Sequence, residues 1–355
     1  MKNLIKILPL KSAMLLAALA LALAACNKLV YDDEGDCVVN YRLRFVYNMN
    51  LKWADAFPSE VHSVHLYAFD SDGIFVKDFI ANGAAVDIEG YTMKLDLDPG
   101  KYTLVAWCGM DNEGATEQSF TVPAPVAGQT RIEELTCSLN TKPDSRAEVF
   151  SDEKLRFLYH GMLEVELPDV YNGNFDYLMY LTKDTNHIQI VLQQTSESDM
   201  ESKDFSFKIV DANGKMAYDN QLLASDVITY RPWDVRPVEA EVGNDIESGR
   251  GLVQVPGVMA DLSTGRLMAD HKNDLMLIVK YKEETVFQVP LLQYALLGLE
   301  YYRTEYDSTL TPQDFLDRSD EFFFTFFLDK NLKWQSVRIN ILSWRTVEYN
   351  YGFDN

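Results

Sequence analysis

Val39-Asn40-Tyr41-Arg42-Leu43-Arg44-Phe45 sets the pattern from which the fold of this chain is predicted. Its apolar residues alternate one for one with Asn and Arg, and a period of two is typical of a β-strand with one face in the core and one in water. A helix would instead bring together apolar residues three and four positions apart. The same alternation returns through the rest of the chain, which predicts an all-β protein.

Turn residues separate the strands of the first half. The apolar run Val64–Phe69 is followed by Asp70-Ser71-Asp72-Gly73 and a second apolar run, which predicts a β-hairpin. Tyr91–Leu97 alternates up to Asp98-Pro99-Gly100, where Pro presets φ and Gly takes the positive φ of a turn. Lys101–Cys108 comes next as another strand. Short strands at this spacing are typical of a β-sandwich.

A polar, Pro-containing segment interrupts this pattern, and we place a linker there, at residues 141–148. We therefore predict two tandem β-sandwich domains, at residues 37–140 and 149–355. Asn213-Gly214 is a dipeptide that hairpins favour, and helix is indicated only at 311–319 and near 291–299. The strands expected in the second half are Met162–Leu167, His187–Gln193, Phe205–Val210, Leu275–Lys280, Val286–Leu292, Phe322–Leu328 and Trp334–Trp344.

The N-terminus has the layout of an export signal. Three lysines precede an apolar run at residues 13–22, and Leu23-Ala24-Ala25 stands directly before Cys26. A Cys in this place resembles the bacterial lipobox, in which the Cys is acylated and becomes the first residue of the mature chain. We predict that residues 1–25 are removed as a lipoprotein signal peptide, that Cys26 carries the lipid, and that residues 26–36 form an acidic tether.

The charge of the chain excludes several classes of partner. There are 54 acidic and 32 basic residues, and loss of three signal-peptide lysines takes the net charge from −22 to −25. Such a charge argues against nucleic acid and against electrostatic binding to anionic headgroups, so the acyl chains are the expected membrane contact. A hydrophobic fraction of 47% is that of a globular protein.

Three cysteines remain beyond Cys26, namely Cys37, Cys108 and Cys137. An exported protein occupies a compartment in which disulfides form, and an odd number allows at most one bridge. We predict a structural bridge from Cys37 to either Cys108 or Cys137. Redox catalysis is not expected, because the sequence has no CxxC motif.

No pattern of residues predicts an active site. The five histidines lack the spacing of zinc motifs, and Ser151-Asp152-Glu153-Lys154 matches SxxK without its companion motifs. The acidic turns at 32–36 and 70–73 do not continue into a calcium-binding loop. A glycoside hydrolase would need two carboxylates at catalytic separation, and no pair stands out. We therefore predict a protein that is not an enzyme and has no cofactor and no metal site.

Glu321–Leu328 contains five phenylalanines and no proline. A run that is apolar on both faces is typical of a central strand buried on both sides. The alternative is a strand beside a groove that a partner's strand fills. On that alternative we name as candidate subunit-binding residues Phe322, Phe324, Phe326, Trp334 and Trp344.

Several stretches, dense in the first half, together resemble one family. They are Val30–Cys37 after the lipobox, Tyr41–Asn50, Ala54–Phe57, Val64–Gly73, Gly100–Trp107 and Leu158–Gly161. The chain resembles the Bacteroidales fimbrial anchor family, the FimB-type lipoproteins of type V fimbriae.

The resemblance implies two transthyretin-like β-sandwiches of Ig-like, Greek-key type. It also implies a lipid anchor, such as palmitate, in the outer membrane, with the protein exposed on the cell surface. The expected role is to hold the base of a fimbrium, or pilus, in cell adhesion, with a fimbrial subunit bound through strand-type contacts. The alternative function is that of a surface glycan-binding lipoprotein.

Overall fold

The computed structural model describes residues 38–110, 118–145, 148–194, 200–242, 253–271, 274–342 and 345–350. Strands dominate it and the helices are short, so the predicted all-β class is confirmed. The strands are β1 (Val39–Val46), β2 (Ser63–Asp70), β3 (Phe75–Asn82), β4 (Thr92–Leu95), β5 (Gly100–Cys108), β6 (Phe120–Thr121), β7 (Thr136–Leu139), β8 (Lys142–Pro143), β9 (Val149–Ser151), β10 (Tyr159–Leu167), β11 (Gly173–Tyr180), β12 (Thr182–Lys183), β13 (Asn186–Gln194), β14 (Phe205–Asp211), β15 (Lys215–Ala217), β16 (Ile228–Tyr230), β17 (Asp234–Val242), β18 (Val253–Thr264), β19 (Met276–Tyr281), β20 (Glu284–Pro290), β21 (Glu321–Leu328), β22 (Trp334–Leu342) and β23 (Arg345–Asn350). The helices are α1 (Phe57–Glu60), α2 (Leu291–Ala295), α3 (Leu299–Glu305) and α4 (Pro312–Arg318).

Two sheets form the first sandwich. Sheet 1 has the order β11-β1-β4, and sheet 2 has the order β12-β10-β5-β2-β3. The alternation of apolar and polar residues determines which face of β1 is buried. Tyr41, Leu43 and Phe45 lie between the sheets, while Arg44 faces solvent. The predicted hairpin at 70–73 is confirmed: Asp70 Oδ1 accepts hydrogen bonds from the backbone N–H groups of Asp72 and Ile74, both at 2.9 Å.

The domain division expected at residues 141–148 is wrong. Strand β10 pairs with β5 along its whole length, and β11 pairs in parallel with β1, so strands beyond the expected linker complete the first sandwich. Lys142–Pro143, inside the expected linker, is itself a strand that pairs with β9. A polar segment with a proline therefore marks a crossing between sheets here, and the first sandwich combines residues 38–110 with residues 159–183.

Two six-stranded sheets form the second sandwich. Sheet 3 has the order β17-β18-β13-β21-β22-β23, and sheet 4 has the order β20-β19-β14-β16-β9-β8. Helices α2 to α4 come after β20, and α4 begins after Thr311, whose side chain accepts a hydrogen bond from the backbone N–H of Asp314. In the described part of the chain, no helix combines the length and apolarity needed to cross a bilayer.

A small fifth sheet, β15-β7-β6, connects the two sandwiches. Trp107 on sheet 2, Phe120 and Cys137 belong to one buried cluster with the core of the second sandwich. The hairpin expected at Asn213-Gly214 does not form, because β15 pairs with β7 and not with β14. Asn213 is instead buried, and its side chain bonds to the Arg266 carbonyl and to the Tyr230 hydroxyl.

The cysteines give no bridge among the described residues. Cys108 and Cys137 are free and buried, the first in the core of the first sandwich and the second in the cluster shared with the second. Burial raises the pKa of both thiols, which keeps them protonated and unreactive. Cys26 and Cys37 lie outside the described residues, so the bridge from Cys37 remains a prediction.

Candidate functional site

The phenylalanine-rich strand β21 lies inside sheet 3, between β13 and β22. It runs parallel to β13 and antiparallel to β22. Phe322, Phe324 and Phe326 are 6%, 1% and 0% exposed, so these three side chains point into the sandwich. The central position of the strand agrees with the interpretation of the run as a buried strand.

The candidate side chains are brought together in the core and not along an open groove. The ring of Phe326 lies 4.7 Å from that of Phe287 and 5.8 Å from that of Trp334, measured between ring centres. Trp334 is half-buried and packs on Phe287 at 5.5 Å. Trp344 lies outside the described residues.

The opposite face of β21 is half-buried, so the expectation of full burial on both faces is wrong for this strand. Phe323 and Phe327 both retain partial exposure. The guanidinium of Arg338 lies 5.1 Å from the ring centre of Phe327, and the ring of His187 lies 6.3 Å from that of Phe323. Aromatic rings and a cation thus share the outer face of sheet 3.

A buried carboxylate organises the neighbouring part of this outer face. Asp261 is 2% exposed and accepts hydrogen bonds from His187 Nε2 (2.9 Å), Gln189 Nε2 (3.0 Å) and Arg236 Nη1 (2.6 Å). Burial by itself would raise the pKa of Asp261, but these hydrogen bonds outweigh it, and the pKa lies below its ordinary value. The carboxylate therefore stays charged and fixes three side chains on adjacent strands.

Sheet 3 ends in two edge strands, β17 and β23. An edge strand has a row of backbone N–H and C=O groups on its outer side that no strand of the same sheet pairs. Strand β17 carries Asp234, Arg236 and Pro237, and such charges and prolines are devices that protect an edge from pairing. Strand β23, Arg345–Asn350, contains no proline and pairs with β22. Sequence reasoning missed both edges, since neither segment was expected to be a strand.

The chain crosses from the first sandwich to the second at Leu181–Asn186, which we call the junction. Lys183 in the junction has a side chain that is 2% exposed, with Nζ 3.3 Å from Glu60 Oε2 and 2.5 Å from Asp320 Oδ2. The same Nζ lies 3.5 Å from the ring centre of Phe157. Glu60 ends α1 in the first sandwich, and Asp320 precedes β21 in the second. The buried ammonium of Lys183 therefore pairs with one carboxylate from each sandwich.

Asp184 is the second ionisable residue of the junction and is fully buried. Its Oδ1 accepts a hydrogen bond from Asn220 Nδ2 at 2.8 Å and lies 3.7 Å from Arg266 Nε. Burial raises the pKa of Asp184 to about 7, although Arg266 and Asn220 act in the opposite direction. Arg266 in turn forms a bidentate pair with Asp317, with Nη2 2.9 Å from Oδ2.

A buried histidine connects the first sandwich to the segment that follows β15 of the small fifth sheet. His160 on β10 donates from Nε2 to the carbonyl oxygen of Tyr218 at 2.7 Å, and its ring lies 4.6 Å from that of Trp107. Burial lowers the pKa of His160 to about 4, so the ring is neutral at physiological pH. Sequence reasoning gave no role to His160, Lys183 or Asp184, because a single ionisable residue in or beside a strand has no distinguishing pattern.

Comparison with known proteins agrees with this architecture. The minor fimbrium anchoring subunit Mfa2 of Porphyromonas gingivalis is 24% identical over 286 residues, covering 79% of this chain and 78% of that protein. A crystal structure of a candidate adhesin from Bacteroides thetaiotaomicron superposes with a TM-score of 0.71 at 33% identity, covering 87% of this chain and 97% of that one.

The fimbrial anchor protein Mfa2 of P. gingivalis also has a solved structure. It matches with a TM-score of 0.60 at 17% identity, over 86% of this chain and 98% of that one, which is a likeness of fold. The sequence model of one family, the fimbrillin-A associated anchor proteins Mfa1 and Mfa2, matches residues 33–350. Because this match spans most of the chain, the protein belongs to the family of fimbrillin-A associated anchor proteins Mfa1 and Mfa2, which is a family of fimbrial anchors and not of enzymes.

Proposed function

We propose that the protein is an outer-membrane lipoprotein that holds the base of a fimbrium at the cell surface. The observation that carries the proposal is the combination of a family match over residues 33–350 with a lipobox-like Leu23-Ala24-Ala25-Cys26. The proposal includes no catalytic step and no cofactor. It assigns one end of the molecule to the membrane and the other to a fimbrial subunit.

The membrane end is the lipid on Cys26. Several acyl chains on one residue give durable anchoring, because each buried CH₂ contributes about 0.8 kcal/mol. Twelve residues lie between Cys26 and the start of β1 at Val39, and such a tether spans at most about 45 Å. The first sandwich is thereby kept close to the membrane surface.

The fimbrial end is the closing part of sheet 3, with β23 as the strand that meets the subunit. In β-augmentation, backbone hydrogen bonds supply affinity, and pockets for alternate side chains supply specificity. Strand β23 suits this role better than β17, because β17 contains Pro237, which has no N–H to donate, whereas β23 contains no proline. Phe322, Phe324 and Phe326 of β21 are buried in the core, so the proposal places the contact at the backbone of β23 and not at these rings.

Truncation tests the fimbrial contact. A chain that ends at Trp344 lacks β23, and we expect it to lose co-purification with the fimbrial subunit, whereas a chain that ends at Asn350 keeps it. Urea unfolding of both chains checks that sheet 3 remains folded. If a folded chain that ends at Trp344 co-purifies with the fimbrial subunit as well as the longer chain does, β23 is not the strand that binds the subunit.

A further inference from the structure

The first strand after the tether is held on both sides. β1 lies between β11 and β4, and all eight of its residues, Val39–Val46, pair with β11 from Gly173 to Tyr180. Its other side pairs with β4 from Tyr41 to Arg44. Because β1 is not an edge strand, it cannot be removed without breaking hydrogen bonds to both neighbours.

The β1–β11 pairing is parallel, and this direction determines how a pulling force acts on the two strands. In a parallel pair, the start of β1 and the end of β11 lie at opposite ends of their ladder. The tether enters at the start of β1. The end of β11, at Tyr180, continues directly through the junction into β13 of the second sandwich. A pull between Cys26 and the second sandwich therefore acts along the ladder, in opposite directions at its two ends.

A parallel ladder that is pulled from its opposite ends is loaded in shear. All of its backbone hydrogen bonds then carry the force together, whereas a ladder pulled apart at one end loses them one at a time. Side chains add to the resistance, since Leu43 and Phe45 are 0% and 1% exposed and would have to slide out of the core. Tyr41 OH also donates to the carbonyl oxygen of Pro168, in the turn before β11, at 2.5 Å.

Cross-strand side chains bind the same two strands on the outer face of sheet 1. Arg42 forms a bidentate pair with Asp176 on β11, with distances of 2.7 Å from Nε and 2.8 Å from Nη2. Beyond the ladder, the buried Lys183 of the junction is tied to Glu60 and Asp320. The path from the tether to sheet 3 thus runs through paired strands and through the ion pairs of the buried Lys183.

We propose that β1 and β11 form a shear clamp that carries tension between the lipid anchor and the fimbrium. This inference rests on the proposed function, which supplies the two ends of the load. The clamp itself is a property of the folded chain and is measurable without any fimbrial subunit. The two claims can therefore fail separately.

Single-molecule pulling in two directions tests the clamp. The mature chain carries an attachment tag at residue 26, with Cys26→Ser and Cys37→Ser, so that only an introduced thiol reacts while Cys108 and Cys137 stay buried. In the first geometry the thiol is Lys330→Cys, in the turn after β21, at the end of sheet 3 farthest from the junction. In the second geometry it is Asp98→Cys, beside the start of β1, because Tyr41 pairs with Leu95.

We expect the rupture force in the first geometry to be several times that in the second, because the first loads the β1–β11 ladder in shear while the second opens the β1–β4 ladder from one end. Equal forces, or a stronger second geometry, would overturn the clamp. Within the first geometry, Tyr41→Phe is expected to lower the force. Tyr102→Phe, which removes a local bond to the Asp98 carbonyl, is the matched control and should leave the force unchanged.

Co-purification with the fimbrial subunit, measured on the same variants, tests the proposed function independently. Unchanged binding with equal forces in both geometries would remove the clamp and leave the anchor. If the chain does not bind the fimbrial subunit but the two geometries differ in rupture force as expected, the clamp stands as a mechanical property of the fold. The proposal that it carries tension from a fimbrium then fails. A fall in rupture force that is the same for Tyr41→Phe and Tyr102→Phe would also count against the clamp.

Discussion

Lys183 Nζ lies 2.5 Å from Asp320 Oδ2, and this contact joins the last strand of the first sandwich to the residue that precedes β21 of the second. The Lys183 side chain is almost wholly buried, and Glu60 provides its second carboxylate. A buried charge is tolerated only when it is paired, so the two sandwiches are held in one arrangement by the need to keep this ammonium satisfied. For an anchor, a fixed arrangement lets force pass from one sandwich to the other.

Lys183→Met should destabilise the protein by about 2 to 3 kcal/mol. This is below the value for a fully buried pair, because Glu60 and Asp320 are 27% and 34% exposed and keep some contact with water. Urea unfolding measures the loss. The matched control is Lys77→Met, which breaks the exposed pair with Asp96 and should cost much less. Equal losses in the two variants would show that Lys183 is not a structural tie.

Asp184 and His160 should give opposite slopes of stability with pH. Folded Asp184 has a pKa of about 7 and holds its proton up to that pH, while the unfolded carboxyl releases it near 3.8, so Asp184 lowers the free energy of unfolding as pH rises across that window. Folded His160, with a pKa of about 4, is neutral down to that pH, while the unfolded ring is protonated below 6.5, so His160 raises the free energy of unfolding as pH rises from 4 to 6.5. The two effects offset each other in the shared window.

Conservative variants separate the two slopes. Relative to the wild type, Asp184→Asn should gain stability as pH rises from 4 to 7, and His160→Gln should lose it as pH rises from 4 to 6.5, each at up to about 1.4 kcal/mol per pH unit. Urea midpoints measured at several pH values, expressed as differences from the wild type, give the slopes. Differences that do not vary with pH in either variant would contradict the burial assigned to both groups.

Neighbouring phenylalanines on β21 should differ in their effect on stability. Phe326→Ala removes a fully buried ring and should cost about 3 to 5 kcal/mol, while Phe327→Ala, on the half-buried outer face, should cost clearly less. Thermal or urea unfolding compares the two. A larger loss for Phe327 would mean that the strand presents the opposite face to the core.

Gly161 on β10 tests the corrected boundary of the first sandwich. A Cβ at this position would lie 2.8 Å from Met179 Cγ on β11 and 2.7 Å from Leu181 Cδ2, so Gly161→Ala should cost about 1 to 3 kcal/mol through overpacking. Met179→Ala makes room, and the double variant should lose less stability than the sum of the single variants. Strict additivity would mean that β10 and β11 do not pack together in one sandwich.

The sequence carries enough information for individual strands and little for their partners. Alternation in Val39–Phe45 predicts β1 and the face it buries, because burial of one face requires a period of two. The partner strand Gly173–Tyr180 lies 134 residues away and carries polar residues at several positions, so neither its formation nor its pairing with β1 could be read locally. For the same reason a polar segment at 141–148 looked like a boundary, although the chain crosses back to complete the first sandwich beyond it.

The candidate site was likewise predictable only in part from the sequence. The apolar character of Phe322–Leu328 predicts a strand within a sheet, and β21 is one. Which of its faces is covered depends on sheet 4 and helices α2 to α4. The sequence of β21 alone does not indicate where those elements pack. The junction was not predictable, because Lys183 and Asp184 differ from surface residues only in what other segments place around them.

Anchoring through Cys26 is tested by finding where fimbriae go when lipidation is prevented. Cells that express the Cys26→Ser variant are compared with cells that express the wild type, and fimbrial subunit is measured in the outer-membrane fraction and in the medium. We predict that the variant and the fimbrial subunit leave the membrane fraction together and appear in the medium, still co-purifying with each other. Fimbriae that stay on cells expressing a folded Cys26→Ser chain would contradict the proposed role of this protein as the anchor.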